Sequence, residues 1–553
     1  MESKFILMAG IVLAVLMVGS VSAADTISED NNTLEITQNN IHTTDNAGSF
    51  SELENEINES GNTLEITKDY TFNNETDNTV GISIAKDNFT INGNNCVLDA
   101  GNQSRIFYIT GDNVTISNLI LMNGHSDMGG AIFASGKLIL NNVSFINNSA
   151  SQFAGAIAYK GALLECNNSR FIDNYAETGA SLYFIGNTVI SNSYVTSTVA
   201  NKFSQIRGDS AVLNIDNTTF ANIVASYSPA LHLTACDSKI RNSRFINLTA
   251  EKTAGAIGIK FASDTVIENC EFINTASTKN AGAIYADIAG SLGADGNLTI
   301  FNTRFENASS GYGGAVMQLG GHLIINNSEF KNDNARLGGG AVYVSFVDAK
   351  ISNSNFTCNG VDVIEGYPTY GGAIFCDYCN LTVTNSRFAN STAFLGNAVY
   401  TRDTAYNISK SNFINNTNAI YTDFDREAFI ADDNILNNET VFTNNTFYLT
   451  IITGTGMELT LTNNTFNVAT LPSRYDSRDW GWVSEVKNQG QIEFCWTFGM
   501  MGTLESALLK ACGIKINLSQ NNMGNTMLRY STYGHTSVYE PGMCSLSASY
   551  LLS

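Results

Sequence analysis

One short repeat limits what this 553-residue chain can fold into. Gly129-Gly-Ala-Ile-Phe133 returns as Gly155-Ala-Ile-Ala, Gly255-Ala-Ile-Gly, Gly282-Ala-Ile-Tyr, Gly314-Ala-Val-Met, Gly340-Ala-Val-Tyr, Gly372-Ala-Ile-Phe and Asn397-Ala-Val-Tyr. Between these runs a second apolar segment, usually ending in Asn-[Ser/Val/Thr]-x-Phe. Its aromatic positions are Phe145, Phe171, Phe220, Phe245, Phe272, Phe305, Phe330, Phe356, Phe388 and Phe413, with Tyr194 holding one turn. The period is about 25 residues and stretches to about 32 where a loop is inserted, which is solenoid spacing.

The strands are short and alternate, as in Leu138-Ile-Leu140 before Phe145, so a single turn cannot bury its apolar face alone. Stacking turns about 4.8 Å apart sets phenylalanine on phenylalanine and Gly-Ala on Gly-Ala. Asparagine suits the bends, because it tolerates left-handed backbone. Proline occurs only four times, first at Pro229, as expected where nearly every N–H must donate to a neighbouring turn. The fold class expected is mostly β: a right-handed parallel β-helix (a pectate-lyase-like solenoid) of about 15 turns over residues 62–470. A leucine-rich solenoid lacks its leucine pattern and helical half-turns here.

Residues 1–23 read as a secretory signal peptide. Lys4 precedes the apolar run Phe5 to Val21, and Val21-Ser-Ala23 is a small-residue cleavage site. An uncleaved membrane anchor is the alternative, and the only membrane association expected. The protein is expected to be secreted or held at the cell surface. Residues 24–61 form a polar arm and a short capping helix, with Ser51-Glu-Leu-Glu54 as a capping box, Leu53 and Ile57 on one face, and Gly61 as the stop. Lys+Arg 29 against Asp+Glu 51 gives a net charge of −22, which argues against nucleic acid as a partner.

At Leu471-Pro472 the period stops, helical spacing appears, and all three tryptophans follow (Trp480, Trp482, Trp496). Phe498, Met501, Leu504, Leu508 and Ala511 recur on one helical face, and Gly513 is the expected stop. Cys495 opens this helix, where unpaired N–H groups and the dipole stabilise a thiolate. Gln489, six residues upstream, can offer its amide to an oxyanion at the carbonyl that Cys495 attacks.

On these residues, 471–553 resembles the N-terminal part of a papain-like cysteine peptidase domain, of α+β fold. Leu471-Pro-Ser-Arg-Tyr-Asp-Ser-Arg-Asp-Trp480 looks like the start of the mature family domain. Val486-Lys-Asn-Gln-Gly490 looks like the oxyanion segment and Cys495-Trp496 like the nucleophile. The resemblance implies peptide-bond hydrolysis with Cys495 and Gln489 in those roles, a peptide substrate, and no cofactor or metal. Ile492-Glu-Phe departs from the Cys-Gly-[Ser/Ala] that precedes the family's nucleophile. The family's histidine and asparagine follow roughly 130–150 residues after the cysteine; His535 is too early, so turnover by these 553 residues is expected to be poor. The repeats resemble those of adhesin-like surface proteins of methanogenic archaea, which implies a rod binding glycans or wall polymers.

Other candidates read blandly. Cys236 and Cys379 share a register, each nine residues before a phenylalanine, but about five turns apart, too far for a disulfide. Cys96, Cys166, Cys270 and Cys358 read as lone buried thiols. Cys376-Asp-Tyr-Cys379 has redox or zinc spacing but no second pair. Cys544 is a candidate partner for Cys512. Sequons are frequent, including those at Asn113, Asn142, Asn247 and Asn380. A β-helix polysaccharide lyase or hydrolase needs grouped acidic and basic residues, for which Asp432-Asp433 and His125 are poor candidates. Two readings therefore stay open: a surface cysteine peptidase on a β-helix rod, and a non-catalytic adhesin, with the lyase as a second alternative.

Overall fold

The computed structural model describes residues 47–261, 264–288, 296–362, 368–423, 435–436, 440–443, 445–447, 460–462, 464–466, 478, 481–488, 490 and 495–530. The signal segment, most of the polar arm, and Asp432-Asp433 lie outside them. Up to Thr443, with the strand Thr460–Thr462, they form one compact unit. A second holds the strand pair Thr446–Phe447 and Thr465–Phe466 and the helical segment.

The first unit is a parallel β-solenoid. Each turn contributes one strand to a 14-stranded sheet and others to a second long sheet. In one turn, Gly129 bends with φ 65°, Ile132–Ala134 joins the first sheet, and Leu138–Ile146 joins the second, crossing a left-handed corner at Asn142 (φ 54°). Asn147 makes the next bend at φ 52°, and Ser149–Phe153 leads to Ala154 at φ 57°, where the following turn begins.

Like residues stack because the pairing is in register. In the first sheet Ile257, Ile284, Val316, Val342, Ile374, Val399 and Ile420 form one column. The alanine before each links turns through backbone bonds, such as Ala256 N–H to Ala283 O and Ala283 N–H to Ala315 O, both 2.9 Å. Glycine is required just before them. A Cβ on Gly255 would lie 1.8 Å from Gly282 O, and one on Gly314 would lie 1.8 Å from Gly340 O. At these two turns the position admits no larger side chain while the spacing is kept, whereas Ala180 and Asn397 hold the same place elsewhere in the stack.

In the second sheet the phenylalanines stack as expected. From Phe220 to Phe413 the rings follow one another at 4.5–5.0 Å with planes within 9°, and all are fully buried. The turn assigned to Tyr194 differs. Val195 occupies the column between Phe171 and Phe220, while Tyr194 pairs with Arg170 and Thr219 on the outer face. A strand's faces alternate with period 2, so the aromatic one residue away points outward.

Asparagine carries the corners flanking this column. Asn217, Asn242, Asn269, Asn302, Asn327 and Asn353 all have φ between 45° and 54°. Their amides form ladders along the stack: Asn269 Nδ2 donates to Asn242 Oδ1 and Asn302 Nδ2 to Asn269 Oδ1, each at 3.1 Å. The sequon residues Asn113, Asn142 and Asn247 also donate to the rung before, at 2.9, 2.8 and 3.0 Å.

The same logic places the cysteines. Cys270 fills a rung otherwise held by serine or threonine, its N–H donating to Thr303 Oγ1 at 3.3 Å. Cys96, Cys166, Cys236, Cys270, Cys376 and Cys379 are buried free thiols. Cys358 is exposed rather than buried. It takes an outer corner (φ 56°) where the next turn has Asn390, whose Nδ2 reaches its Sγ at 3.9 Å.

At the start of the chain, α1 spans Phe50–Glu59 and buries Phe50, Leu53 and Ile57. Its capping box is Ser49 with Glu52, two residues earlier than the Ser51–Glu54 pair expected. Burial of Phe50 against Phe72 (5.8 Å, edge-on) extends the helix back. Asp77 then accepts the N–H groups of Phe50 and Ser51 at 3.0 and 2.8 Å. Lys86 Nζ closes the other end, donating to Ile57 O and Ser60 O at 2.6 Å each, as a cation at a helix C-terminus should.

Three residues after several of the phenylalanines a buried polar side chain points inward, whereas Ile223, Leu248 and Ala308 hold that place in other turns. Asn359 Nδ2 donates to Phe330 O at 3.0 Å and Asn416 Nδ2 to Phe388 O at 3.1 Å. Asp333 stands at the same position, fully buried, and its Oδ2 has no hydrogen-bond partner. Burial pushes its carboxyl well above the usual range, although the Ala308 N–H favours the charged form. The folded state thus retains a proton that the unfolded chain releases above about pH 4. The stability lost to Asp333 grows as pH rises from there. Asp333→Asn restores the donor and should raise stability at pH 7 by about 1–2 kcal/mol. Thermal melts from pH 3 to 8 should show the gain vanishing below about pH 4.

Candidate active site

In the second unit α2 spans Cys495–Cys512 and α3 spans Gln520–Tyr530. Gly513 ends α2 with φ 68° and donates its N–H to Leu509 O at 3.0 Å, the expected stop. Cys495 is the first residue of α2, where a helix's free N–H groups and dipole favour an anion. Gln489, Trp480, His535 and Cys544 lie outside the described residues.

The buried line of α2 is Thr497, Met501 and Glu505. Of the apolar face read from sequence, Phe498, Leu504 and Leu508 are half-buried and Ala511 is exposed. A carboxylate takes the inward position because it has partners there. Glu505 Oε1 accepts from Lys487 Nζ and from the Leu518 N–H, each at 2.6 Å, with only 2% of its side chain exposed. Lys487 Nζ also donates to Leu518 O at 3.1 Å. Burial alone would raise the Glu505 carboxyl; bonds from Lys487, Leu518 and Ser484 outweigh it and hold it below the usual range. Met501 and Met523 pack α2 against α3, with Met500 and Leu518 at the edge.

Lys487 lies two residues before Gln489, so this ion pair ties the expected oxyanion segment to the expected nucleophile helix. Upstream, the Ser484 N–H donates to Ser506 Oγ at 3.1 Å. Segment and helix enclose a groove of about 470 Å³, lined by Glu485, Val486, Phe498, Gly499 and Thr503 among others. Sequence reasoning missed the pair because Lys487 and Glu505 lie 18 residues apart with no local pattern joining them.

Residues 471–527 match the papain family cysteine protease. Pro-cathepsin H of Medicago truncatula is 40% identical over 72 residues, 13% of this chain and 21% of that protein. Oryzain gamma chain of Oryza sativa subsp. japonica is 38% identical over 68 residues, 12% of this chain and 19% of that protein. The chain thus spans about one fifth of the length of these curated relatives. Among solved structures, a mannuronic acid specific polysaccharide family 6 lyase from human gut microbiota is similar at 11% identity and TM-score 0.35, over 75% of this chain and 90% of that one. An alginate lyase complex with trisaccharide has 10% identity and TM-score 0.26, over 79% and 99%.

The chain therefore combines a papain-like peptidase segment with a parallel β-solenoid. In the solenoid the buried thiols Cys270 and Cys376 are poor nucleophiles. Burial pushes Cys270 up to about 11 and Cys376 well above the ordinary range. His125 is exposed, its Nδ1 2.9 Å from Ser149 Oγ.

Removing Lys487 strands a buried carboxylate, so Lys487→Ala should destabilise this unit by about 3 kcal/mol at pH 7. Because the folded carboxyl is held low, the pair's contribution is present above about pH 4.3 and fades as pH falls through the lower folded value. All three tryptophans lie in this segment, so tryptophan emission during melting reads it selectively. Parent and Lys487→Ala melts should converge toward pH 3.

Proposed function

We propose that this chain is an exported surface protein in which a glycan-binding β-solenoid carries a papain-like cysteine peptidase module. The observation that supports the peptidase reading most strongly is the position of Cys495. It opens an 18-residue helix within the family match, and Lys487, two residues before Gln489 in sequence, is bonded to that helix through Glu505. Chemically, the Cys495 thiolate attacks the peptide carbonyl and the Gln489 amide stabilises the oxyanion. An imidazole must then hold the thiolate and protonate the leaving amine.

The adhesin reading of the solenoid draws on its exposed asparagine ladders and the net charge of −22. Both suit a solvated surface meeting uncharged polymers better than nucleic acid. The signal-like residues 1–23 support export.

Because turnover also needs the imidazole, the nucleophile is best read in a single covalent event. Carboxymethylation of the full chain from pH 5 to 9, with labelled residues located by mass spectrometry, separates Cys495 from the exposed Cys358 and Cys512. Cys495 should react with an apparent pKa below about 7.5, against about 8.5 for an ordinary thiol. Identical profiles for the three would remove Cys495 as an activated nucleophile.

A further inference from the structure

One corner of the solenoid breaks the rule that governs the others. At the bend after seven strands of the 14-stranded sheet a left-handed residue stands: Ser210, Ala235, Phe261, Gly320, Phe346, Tyr378 and Asp403, with φ between 44° and 71°. Bulky aromatics are unfavourable in this conformation, yet Phe346 (φ 56°) and Tyr378 (φ 52°) occupy it in successive turns. Core burial does not compensate, since Phe346 is 69% exposed. The two rings stack at 5.1 Å with planes 5° apart. With Val347, Asp348, Asn380 and Asp403 they line a pocket of about 360 Å³.

The preceding turn carries Gly320-Gly321 at this corner, and the Gly320 N–H donates to Ser345 O at 2.9 Å, beside Phe346. Neither glycine sets a side chain against the Phe346 ring. Next along, His322 Nδ1 lies 3.5 Å from Asp348 Oδ2. The corner thus offers an exposed ring face bordered by carboxylate and amide groups. Strained residues that add little to packing mark functional positions, and a pocket with an apolar wall and a few polar groups is the usual form of a small-ligand site.

We propose that the Phe346–Tyr378 corner binds a sugar ring that carries no acidic group. The C–H face of a pyranose packs on an aromatic ring while its edge hydroxyls donate to Asp348 and Asn380. Asp348 and Asp403 at the pocket, in a chain of net charge −22, disfavour uronic acids. The site rests on the reading of the solenoid as a glycan binder and gives that reading a location and a charge preference.

The test uses the full chain with Phe346→Asn and Tyr378→Asn, titrated by calorimetry with cellohexaose, chitohexaose and a galacturonic acid hexamer. Asparagine is what the fold places at its other left-handed corners, so both variants should melt at or above the parent's midpoint. The parent should bind at least one neutral hexamer and not the uronate, and each variant should bind at least about tenfold more weakly, the scale of one lost aromatic contact. Variants that bind like the parent, a parent that binds no neutral hexamer, or preference for the uronate would overturn the proposal. So would parent dimerisation that Phe346→Asn abolishes, since the pair would then be a contact between copies. Sedimentation with cellulose, chitin and isolated cell walls separates the two levels. Equal pelleting of parent and variants removes this site alone, whereas no pelleting of the parent removes the glycan reading with it.

Discussion

The structure depends on the in-register hydrogen bond between one turn and the next. A residue in a parallel stack sits above its counterpart about 4.8 Å away, so each position must tolerate a near-copy of itself as neighbour. Phenylalanine does so by stacking face to face, as from Phe220 to Phe413. Asparagine does so by passing its amide along the axis, as from Asn302 to Asn269 to Asn242. Glycine is needed where the next backbone leaves no room for a Cβ, as at Gly255 and Gly314. The repeat in the sequence is the record of these requirements.

A scaffold built this way separates support from chemistry. Its interior thiols are sealed and held protonated by burial, as at Cys270 and Cys376. What remains available is the outside of the bends, where a rung can be exchanged without disturbing the stack: Cys358 replaces an asparagine, and Phe346 and Tyr378 stand at another corner. The papain-like segment uses a different principle. There a buried ion pair between distant residues, Lys487 and Glu505, fixes a loop against a helix. Such a pair is costly to break from one side, which suits a place where a loop must hold its position.

The columns were legible because they repeat. Gly-Ala, the phenylalanines and the asparagine corners each recur often enough to reveal the turn, and Cys495 with Gln489 stood out by the order of its neighbours. Single exchanges were not legible. Tyr194 matches the repeat in sequence although Val195 fills the column, because an aromatic one residue away fits the pattern until the strand's faces are known. Cys358 carries no mark in the sequence that separates an outer corner from a buried rung. The capping box shifted from Ser51 to Ser49 once Phe50 found Phe72 to pack on. Glu505 turned inward for partners 13 and 18 residues away. In each case the deciding contact was distant in sequence.

The central claim is the register itself, and cross-linking reads it directly. Val224 and Thr249 are in-register neighbours on adjacent turns, both exposed. Their Cα atoms should lie about 5 Å apart, within reach of a disulfide. Glu251 is two residues further along on the same exposed face, roughly 8 Å from Val224. Under mild oxidation, the Val224→Cys/Thr249→Cys variant should close its disulfide quickly and without loss of stability, while Val224→Cys/Glu251→Cys should stay reduced. Closure of the second pair and not the first would mean that the turns stack in another register, and the columns described here would be wrong.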